Sequence, residues 1–159
     1  MATSESAACA VCASLAGPDR REPLYEDELW HVRHLAPPYA LPGWMMMISR
    51  RHVAGPAHFN DQEAAHFGPA LRHFEKVLEQ VTGALRIYTA ALGESSPHFH
   101  AHMVPRYPTM PKGAIKWDVF DLLRASEAGE IQRDEAEVHR VSEAYRAALI
   151  KTPPPTLNF

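Results

Sequence analysis

Three segments of the chain have the apolar patterns expected of β-strands. Apolar residues fall on both faces of the segment Trp30 to Leu35, and Met45 to Ser49 is a continuous apolar run, as in a strand covered on both sides. From His98 to Val104, three histidines occupy alternate positions with apolar residues between them. Because successive side chains of a strand point to opposite faces, the histidines would lie on one face, about 7 Å apart, and the apolar residues would face the core.

Two longer segments have the three-four spacing of apolar residues that predicts amphipathic helices. The first begins at Asn60, which forms a capping-box pattern with Glu63, and ends at Gly83, where a C-terminal glycine is expected. The second helix is predicted over Glu127 to Ile150. We also predict a helical turn over Trp117 to Ala125, in which the tryptophan packs against the core.

Two further short strands, Pro23 to Glu26 and Leu85 to Leu92, complete the predicted elements. A long helix is thus inserted between the third and fourth strands, and the fourth and fifth strands are close enough in sequence to form an antiparallel hairpin. This order predicts an α+β fold in a single domain over residues 9–150. Residues 1–8 are predicted to be a flexible terminus, and residues 151–159 a proline-rich extended tail.

The composition is that of one globular domain and argues against several classes of function. The chain has 159 residues, of which 46% are hydrophobic and 22% charged, and its net charge of −3 gives no reason to expect binding to nucleic acid or to anionic membranes. It has no apolar stretch of the roughly 18–20 residues that span a bilayer and no signal-peptide pattern at its start. We therefore expect a cytoplasmic protein.

The alternating histidines are the strongest candidate for function, because imidazole suits proton transfer, metal binding and nucleophilic attack near neutral pH. The residues alone leave three interpretations open. The histidines could be incidental on a solvated face, His98, His100 and His102 could together bind a metal, or one could be a nucleophile with another as its partner. The following histidines of helices and loops are expected at the surface: His58, His66, His73 and His139.

Two cysteines, Cys9 and Cys12, have the spacing of half a metal site or of a redox pair in a reducing compartment. His52 follows a basic turn at the end of a predicted strand. Two cysteines and two histidines make a closed tetrahedral zinc site, which His52 and one of the alternating histidines could complete with the cysteine pair. The other interpretation of the cysteine pair is two small buried side chains.

The segment His98 to Val104, followed by Pro105 and Arg106, resembles the motif of the histidine triad (HIT) family, in which histidine and an apolar residue alternate. Other landmarks within residues 9–107 agree: Cys9-x-x-Cys12, Tyr25-Glu26-Asp27, Pro42-Gly43 and Arg50-Arg51-His52-Val53. The resemblance implies a five-stranded antiparallel sheet with a long helix between strands 3 and 4 and a C-terminal helix. It also implies a zinc-carrying bacterial-type hydrolase or transferase, a nucleotide-type substrate and a homodimer.

Carried over residue by residue, the resemblance makes His100 the nucleophile. It would attack the α-phosphate of a dinucleoside polyphosphate or nucleoside phosphoramidate and form a nucleotidyl-histidine intermediate. His102 would donate a hydrogen bond to the leaving group or to the non-bridging oxygens. The alternative is a nucleotide- or partner-binding module with weak or no catalysis. One structural zinc ion per chain would be held by Cys9, Cys12, His52 and His98.

The chain also departs from the family pattern next to the histidines. The usual glycine-glutamine-Ser/Thr segment is Gly93-Glu94-Ser95 here. Ser95 keeps a hydroxyl donor for substrate, whereas the carboxylate of Glu94 cannot donate to phosphate unless it is protonated. Arg106 is a further candidate partner of phosphate, with a solvated strand end as the other interpretation. Trp44 stands where the family commonly has a histidine after Pro-Gly. These departures concern phosphate and ribose recognition more than the nucleophile.

Overall fold

One antiparallel sheet of five strands forms the centre of the protein. The structure is a computed structural model, and it describes residues 9–16, 20–131 and 133–156. The strands are β1 (Tyr25–Glu26), β2 (Trp30–His34), β3 (Met45–Ser49), β4 (Ile87–Ala90) and β5 (His100–Pro105). Their order across the sheet is β1-β2-β3-β5-β4, which confirms the predicted five-stranded α+β fold. The predicted flexible residues 1–8, and residues 157–159 of the predicted tail, lie outside the described residues.

The helices of the described part of the chain are α1 (Ala10–Leu15), α2 (Asp61–Thr82), α3 (Asp121–Glu127) and α4 (Glu135–Lys151), with short 3-10 helices at Pro56–His58, Lys112–Ala114 and Lys116–Phe120. As predicted, α2 joins β3 to β4. Both hydrogen bonds of the Asn60–Glu63 capping box are present, and Gly83 ends α2 with a left-handed φ of 66°. None of these helices is long and apolar enough to cross a membrane.

The sheet is buried on both faces by two separate sets of apolar side chains. On the first face, alternating residues of β2, β3 and β5 pack against α2 and α4; this core includes Trp30, Val32, Met45, Met47, Phe74, Phe99, Ala101, Met103 and Tyr145. On the second face, the other residues of the same strands pack with α1 and the 3-10 segments; this core includes Leu15, Trp44, Met46, Ile48, Val104 and Val119. Each fully buried large side chain contributes about 1.5–3 kcal/mol. The predicted burial of β3 on both faces is confirmed.

The register between β5 and β3 places two of the alternating histidines on the same face of the sheet. His100 and His102 pair with residues of β3 that face the second core, so both imidazoles lie on that face. The prediction that the strand begins at His98 is wrong, because the backbone N–H of His98 donates to the carbonyl of Ser96 (2.8 Å) in a tight turn and not to β3. His98 therefore precedes the strand.

The prediction of one helix from Glu127 to Ile150 is wrong for the N-terminal part of this segment. The segment contains the end of α3 and, after a break, the start of α4. Gly129 has a left-handed φ of 72°, which ends the first helix. The side chain of Asp134 accepts the backbone N–H of Ala136 (2.9 Å) as the N-cap of α4. The helix-ending glycine at position 129 and the N-cap at Asp134 therefore divide the predicted helix into two.

The predicted packing of Trp117 is also wrong, since its side chain is 79% exposed. The predicted helical turn is present as a 3-10 helix followed by α3, and within it Val119 takes the fully buried position in the second core. Strand β4 is shorter than the predicted Leu85 to Leu92, and both of these terminal leucines are exposed.

His66 is buried in α2, contrary to the prediction that it lies at the surface. Its Nδ1 accepts the indole N–H of Trp30 (2.9 Å), and its Nε2 donates to the carbonyl of Pro155 (2.7 Å). Because Trp30 belongs to the first core, His66 connects that core to the described part of the proline-rich tail. Further along α2, Nε2 of His73 donates to the carbonyl of Thr152 (2.8 Å). Both partners of His66 are distant in sequence, so helical periodicity could not reveal this role.

Replacing His66 with leucine is expected to lower the free energy of unfolding by about 2–3 kcal/mol, because the buried indole N–H of Trp30 would lose its acceptor. Urea denaturation measures this loss. His73→Leu is the matched control, because it removes a single carbonyl contact near solvent and is expected to cost less than about 1 kcal/mol. Equal losses in the two variants would contradict the role assigned to His66.

Candidate functional site

Four metal-binding side chains meet just before β5. The ligand atoms of Cys9, Cys12, His52 and His98 all lie within 4.8 Å of one another. Cys12 Sγ is 3.3 Å from Nδ1 of both histidines, and Cys9 Sγ is 3.7 Å from Nδ1 of His98. In a tetrahedral zinc site, bond lengths of about 2.0–2.3 Å separate neighbouring ligand atoms by about 3.3–3.8 Å. The group therefore has the donor set and the dimensions for one zinc ion.

His98 is held so that the correct ring nitrogen faces the cysteines. Its Nε2 lies 2.7 Å from the carbonyl oxygen of Ser49. Because a carbonyl can only accept, Nε2 carries the proton and Nδ1 keeps its lone pair. Burial lowers the pKa of His98, and the neutral imidazole is the form that binds a metal. The bond to Ser49 is thus the kind of outer contact that orients a zinc ligand.

The two cysteines are in different environments. Cys9 is the N-cap of α1, and its Sγ accepts the backbone N–H of Cys12 (3.5 Å). Burial alone would raise the pKa of Cys9, but this bond and a contact with the Ser96 hydroxyl lower it on balance. Burial, together with the neighbouring Cys9, raises the pKa of Cys12 to about 11. A bound cation would favour loss of the Cys12 proton, as expected of a zinc ligand.

A charged contact fixes the basic turn that carries His52. The Arg51 side chain donates to both carboxylate oxygens of Glu63, with Nε at 3.0 Å, and to the carbonyl of His58 (2.9 Å). Glu63 is buried and also belongs to the capping box of α2. The turn after β3 is therefore attached to the start of α2, which keeps His52 against Cys12.

His100, the predicted nucleophile, has one ring nitrogen fixed by the backbone. Its Nδ1 lies 2.7 Å from the carbonyl oxygen of His98. Nδ1 must therefore carry the proton, and Nε2 has a free lone pair. The side chain is only partly buried, so this lone pair is open to a ligand. Such an imidazole can act as a nucleophile without first losing a proton.

His102 is held in the opposite tautomer. The indole N–H of Trp44 donates to its Nδ1 at 3.0 Å. An indole can only donate, so Nδ1 of His102 keeps its lone pair and Nε2 carries the proton. Burial, and to a smaller extent the nearby His100, lowers the pKa of His102 to about 4, so the ring is neutral near pH 7. The ring centroids of His100 and His102 are 5.7 Å apart, which puts a free lone pair and a hydrogen-bond donor side by side.

The predicted substrate-binding residues before β5 lie near the metal-binding group. Ser95 lines a cleft of about 890 Å³ together with Arg51, His52 and Ser96. Hydroxyl and guanidinium donors of this kind suit an anionic ligand. Glu94 is exposed beside the cleft-lining Ser95. The substrate-binding roles of Ser95 and Glu94 stay predictions.

Arg106 lies at the far end of β5 from His100. Arg106 is six positions further along the chain, about 20 Å at 3.3 Å per residue, and this distance exceeds the reach of one side chain. The Arg106 guanidinium donates to the carbonyl of Tyr107. The predicted contact with phosphate therefore requires an extended ligand whose distal part reaches Arg106, and it stays a prediction.

A smaller cleft of about 340 Å³ is lined in part by Phe120, whose ring packs against His102. It is lined by residues of β4 and of the 3-10 helix, among them Ala90, Lys116 and Phe120. Ala90 pairs with His102 across the sheet, and the Phe120 ring packs edge-on against the imidazole with centroids 5.7 Å apart. The cleft therefore lies on the other side of residues that neighbour His102, and Lys116 supplies a positive charge to it.

No protein-family model matches the chain, and no curated protein matches it. Solved structures do match. A Zn-bound histidine triad family protein from Mycobacterium smegmatis is 19% identical, with a TM-score of 0.61 over 92% of this chain and 96% of that one. A hypothetical histidine triad nucleotide-binding protein from Sulfolobus tokodaii is 14% identical, with a TM-score of 0.63 over 90% and 93%. This chain has the histidine triad fold.

A third structure with the histidine triad fold supports the assignment over most of the chain. A HIT-like protein involved in cell-cycle regulation from Bartonella henselae is 13% identical, with a TM-score of 0.61 over 89% of this chain and 97% of that one. Identities this low establish the shared fold and leave the activity open. The predicted resemblance is thereby confirmed for the fold, and the predicted zinc site is confirmed as one group of four ligands.

Two residues of the histidine triad site were not among the predicted site residues. In the sequence, Trp44 is only a departure from the family pattern, and Phe120 is one residue of the predicted helical turn. Both contact His102 from segments that are distant in sequence. The pairing of β3 with β5 offered one signal, because His102 pairs with Met46, two residues after Trp44.

The purified protein is expected to contain about one zinc ion per chain, and Cys12→Ser is expected to lose it and to melt at least about 5 °C lower. Elemental analysis and thermal melting measure the two effects. Ser14→Ala is the control on the same helix, because the Ser14 hydroxyl donates to the Val11 carbonyl and is not one of the four ligands, and it should keep the metal. A metal-free wild-type protein whose melting temperature is unchanged by added zinc would contradict the site.

Proposed function

We propose that the protein is a nucleotide hydrolase or nucleotidyl transferase that acts at the α-phosphate of a nucleotide conjugate. The observation that carries this proposal is the pair of opposite tautomers on β5. His100 has a free lone pair on Nε2, and His102 beside it has an N–H on Nε2. A lone pair attacks phosphorus, and a neighbouring N–H stabilises the negative charge that develops on oxygen.

In the first step, Nε2 of His100 attacks the α-phosphorus, and the bond from phosphorus to the leaving group breaks. The result is a nucleotidyl-histidine. The hydrogen bond from Nδ1 to the His98 carbonyl orients the ring and stabilises the positive charge that forms on it. In the second step, water or another acceptor attacks phosphorus, and the electrons of the P–N bond return to Nε2. The N–H of His102 donates to phosphate oxygens in both steps.

The substrate class is inferred from this chemistry together with the surroundings of the site. One structural neighbour is described as nucleotide-binding. The hydroxyl of Ser95 offers a donor for phosphate, whereas the carboxylate of Glu94 next to it opposes an anionic ligand. We retain dinucleoside polyphosphates and nucleoside phosphoramidates as candidate substrates, and a binding module with weak catalysis as the alternative.

Zinc, held by the two cysteines, His52 and His98, would supply structural stability to the site. The carbonyl that orients His100 belongs to His98, so the ligand that anchors the metal also positions the nucleophile. The cysteines of α1 are thereby joined to the turn before β5. On this account the metal site acts on the reaction only through the position of the His98 backbone.

The predicted homodimer and cytoplasmic location also belong to this proposal. Strand β4 lies at an edge of the sheet, and the exposed apolar side chains near it, Leu85 and Leu92, favour a contact with a second copy. The net charge of −3 gives no support for a nucleic-acid partner. Sedimentation of the purified protein measures its oligomeric state.

His100→Ala is expected to lower the rate of nucleotide hydrolysis by at least about a thousandfold, because the attacking nitrogen is lost. The rates are measured with a dinucleoside polyphosphate and a nucleoside phosphoramidate of the same base. Mass spectrometry of the denatured wild-type protein is expected to find one nucleotidyl group on His100 during turnover. The variant should carry none.

His139→Ala is the control, because this exposed imidazole on α4 should leave turnover unchanged. Thermal stabilisation by nucleotide without product or adduct would support the binding-module alternative and contradict catalysis. Turnover that survives in His100→Ala would contradict the role of this histidine.

A further inference from the structure

Trp44 is an unusual partner for a histidine at this site because it can only donate. Its side chain is fully buried in the second core. The indole ring packs edge-on against both His102 and Phe120, with centroids 5.8 and 5.7 Å away. The backbone of Trp44 is fixed as well, because its carbonyl accepts the N–H of Leu35 (2.8 Å). Its indole N–H therefore has one well-defined target, Nδ1 of His102.

This contact limits the proton chemistry of His102. A histidine that acts as a general acid gives up one proton and remains neutral, so it must first carry protons on both nitrogens. Because the Trp44 N–H is directed at Nδ1, a proton on that nitrogen would break this hydrogen bond and place two N–H groups against each other. His102 is therefore neutral with its only proton on Nε2. Transfer of that proton would leave an imidazolate, which is far too basic to form. His102 can thus donate a hydrogen bond but cannot supply a proton.

We propose that Trp44 is a positioning residue that restricts the reaction to leaving groups that depart without a proton, such as the phosphate end of a polyphosphate-linked nucleotide. This proposal rests on the proposed nucleotidyl chemistry and narrows its substrate class. A phosphate leaves as a stable anion, since the second pKa of a phosphate monoester is about 6. The nitrogen of a phosphoramidate must be protonated before it leaves, because an amine is otherwise expelled as an amide anion.

The balanced reaction needs no acid from the protein. The lone pair of His100 Nε2 forms the P–N bond, and the P–O bond to the leaving phosphate breaks with its electron pair on that phosphate. Water then attacks phosphorus, the P–N electrons return to Nε2, and the water proton passes to the released phosphate or to solvent. The products are a nucleoside monophosphate and the departing phosphate or nucleotide. His102 keeps its proton throughout.

The cleft lined by Phe120, whose ring packs against His102, agrees with an anionic leaving group. Lys116 is the charged residue among those that line it, and its charge is positive. Lys116 is exposed and has a left-handed φ of 59°, a backbone conformation that is uncommon for a residue other than glycine. Its side chain supplies a positive charge to this cleft, which suits a departing phosphate that carries negative charge.

The first test compares substrates on the wild-type protein. For each of the four common bases, kcat/KM is measured for a dinucleoside triphosphate and for the nucleoside 5′-phosphoramidate. The triphosphate is expected to be favoured by at least about a hundredfold, the size of a missing general-acid contribution. In a series of aryl esters of one nucleotide, kcat/KM is expected to fall steeply as the pKa of the phenol rises. Equal rates on the two substrate types, or a flat series, would overturn the proposal.

The second test changes the donor. Trp44→Phe keeps a ring in the second core but removes the N–H, so that Nδ1 of His102 can accept a proton. The triphosphate-to-phosphoramidate ratio is then expected to fall at least about tenfold. Phe120→Leu is the matched control, because it removes the other ring that touches His102 without changing its tautomer, and it should keep the wild-type ratio. A ratio that changes equally in both variants would overturn the role of Trp44.

These outcomes are separable from failure of the proposed function. If no substrate of any base gives product and no adduct forms on His100, the nucleotidyl chemistry itself is wrong, and the proposal about Trp44 is overturned with it. If adduct and product form but the phosphoramidate is preferred, the proposed function stands and only the leaving-group restriction is overturned.

Discussion

A carbonyl oxygen can only accept a hydrogen bond, and an indole N–H can only donate one. These two constraints give His98, His100 and His102 different chemistry, although they occupy equivalent positions in the sequence. The Ser49 carbonyl leaves the lone pair of His98 on Nδ1, the His98 carbonyl leaves that of His100 on Nε2, and Trp44 leaves the proton of His102 on Nε2. A side chain placed to bind a metal, an imidazole with a free lone pair and a hydrogen-bond donor thus follow one another along a single segment.

The rest of the fold keeps these partners in place. Because β5 lies between β3 and β4 and the sheet is buried on both faces, the backbone that carries His100 and His102 has little freedom to move. The four metal-binding side chains attach the start of the chain to the turn that holds His98. The contact between Arg51 and Glu63 attaches the turn after β3 to α2. Loss of any of these contacts is expected to change the orientation of the His100 ring, because that ring is held by the His98 carbonyl.

Much of the fold and of the metal-binding group could be predicted from the sequence, because the sequence patterns that indicate them are local or belong to a specific motif. The capping box that begins at Asn60 is a local pattern, and the structure has it. The buried faces of β3 and β5 followed from runs and alternation of apolar residues. The cysteine pair, His52 and His98 could be placed around one ion because the resemblance to histidine triad proteins supplied the missing long-range information.

The predictions that failed concern residues whose positions depend on contacts between segments that are distant in sequence, or on competing local signals. His66 was expected at the surface, yet the Trp30 indole and the Pro155 carbonyl, far along the chain in both directions, make it a core residue. Trp117 has the size of a core residue, but the short 3-10 helix turns it to solvent and buries Val119. The effect of Trp44 on His102 was hidden for the same reason, since it depends on how β3 and β5 pair.

The central claim is that three fixed partners give the histidines of this segment different proton positions. Long-range ¹H–¹⁵N NMR correlations of protein labelled in its imidazole nitrogens measure those positions directly at pH 7. The account predicts the proton on Nδ1 for His100 and on Nε2 for His98 and His102. It also predicts that Trp44→Phe changes the spectrum of His102 and leaves that of His100 unchanged. A proton on Nε2 of His100, or a mixture of tautomers at His102 in the wild-type protein, would contradict it.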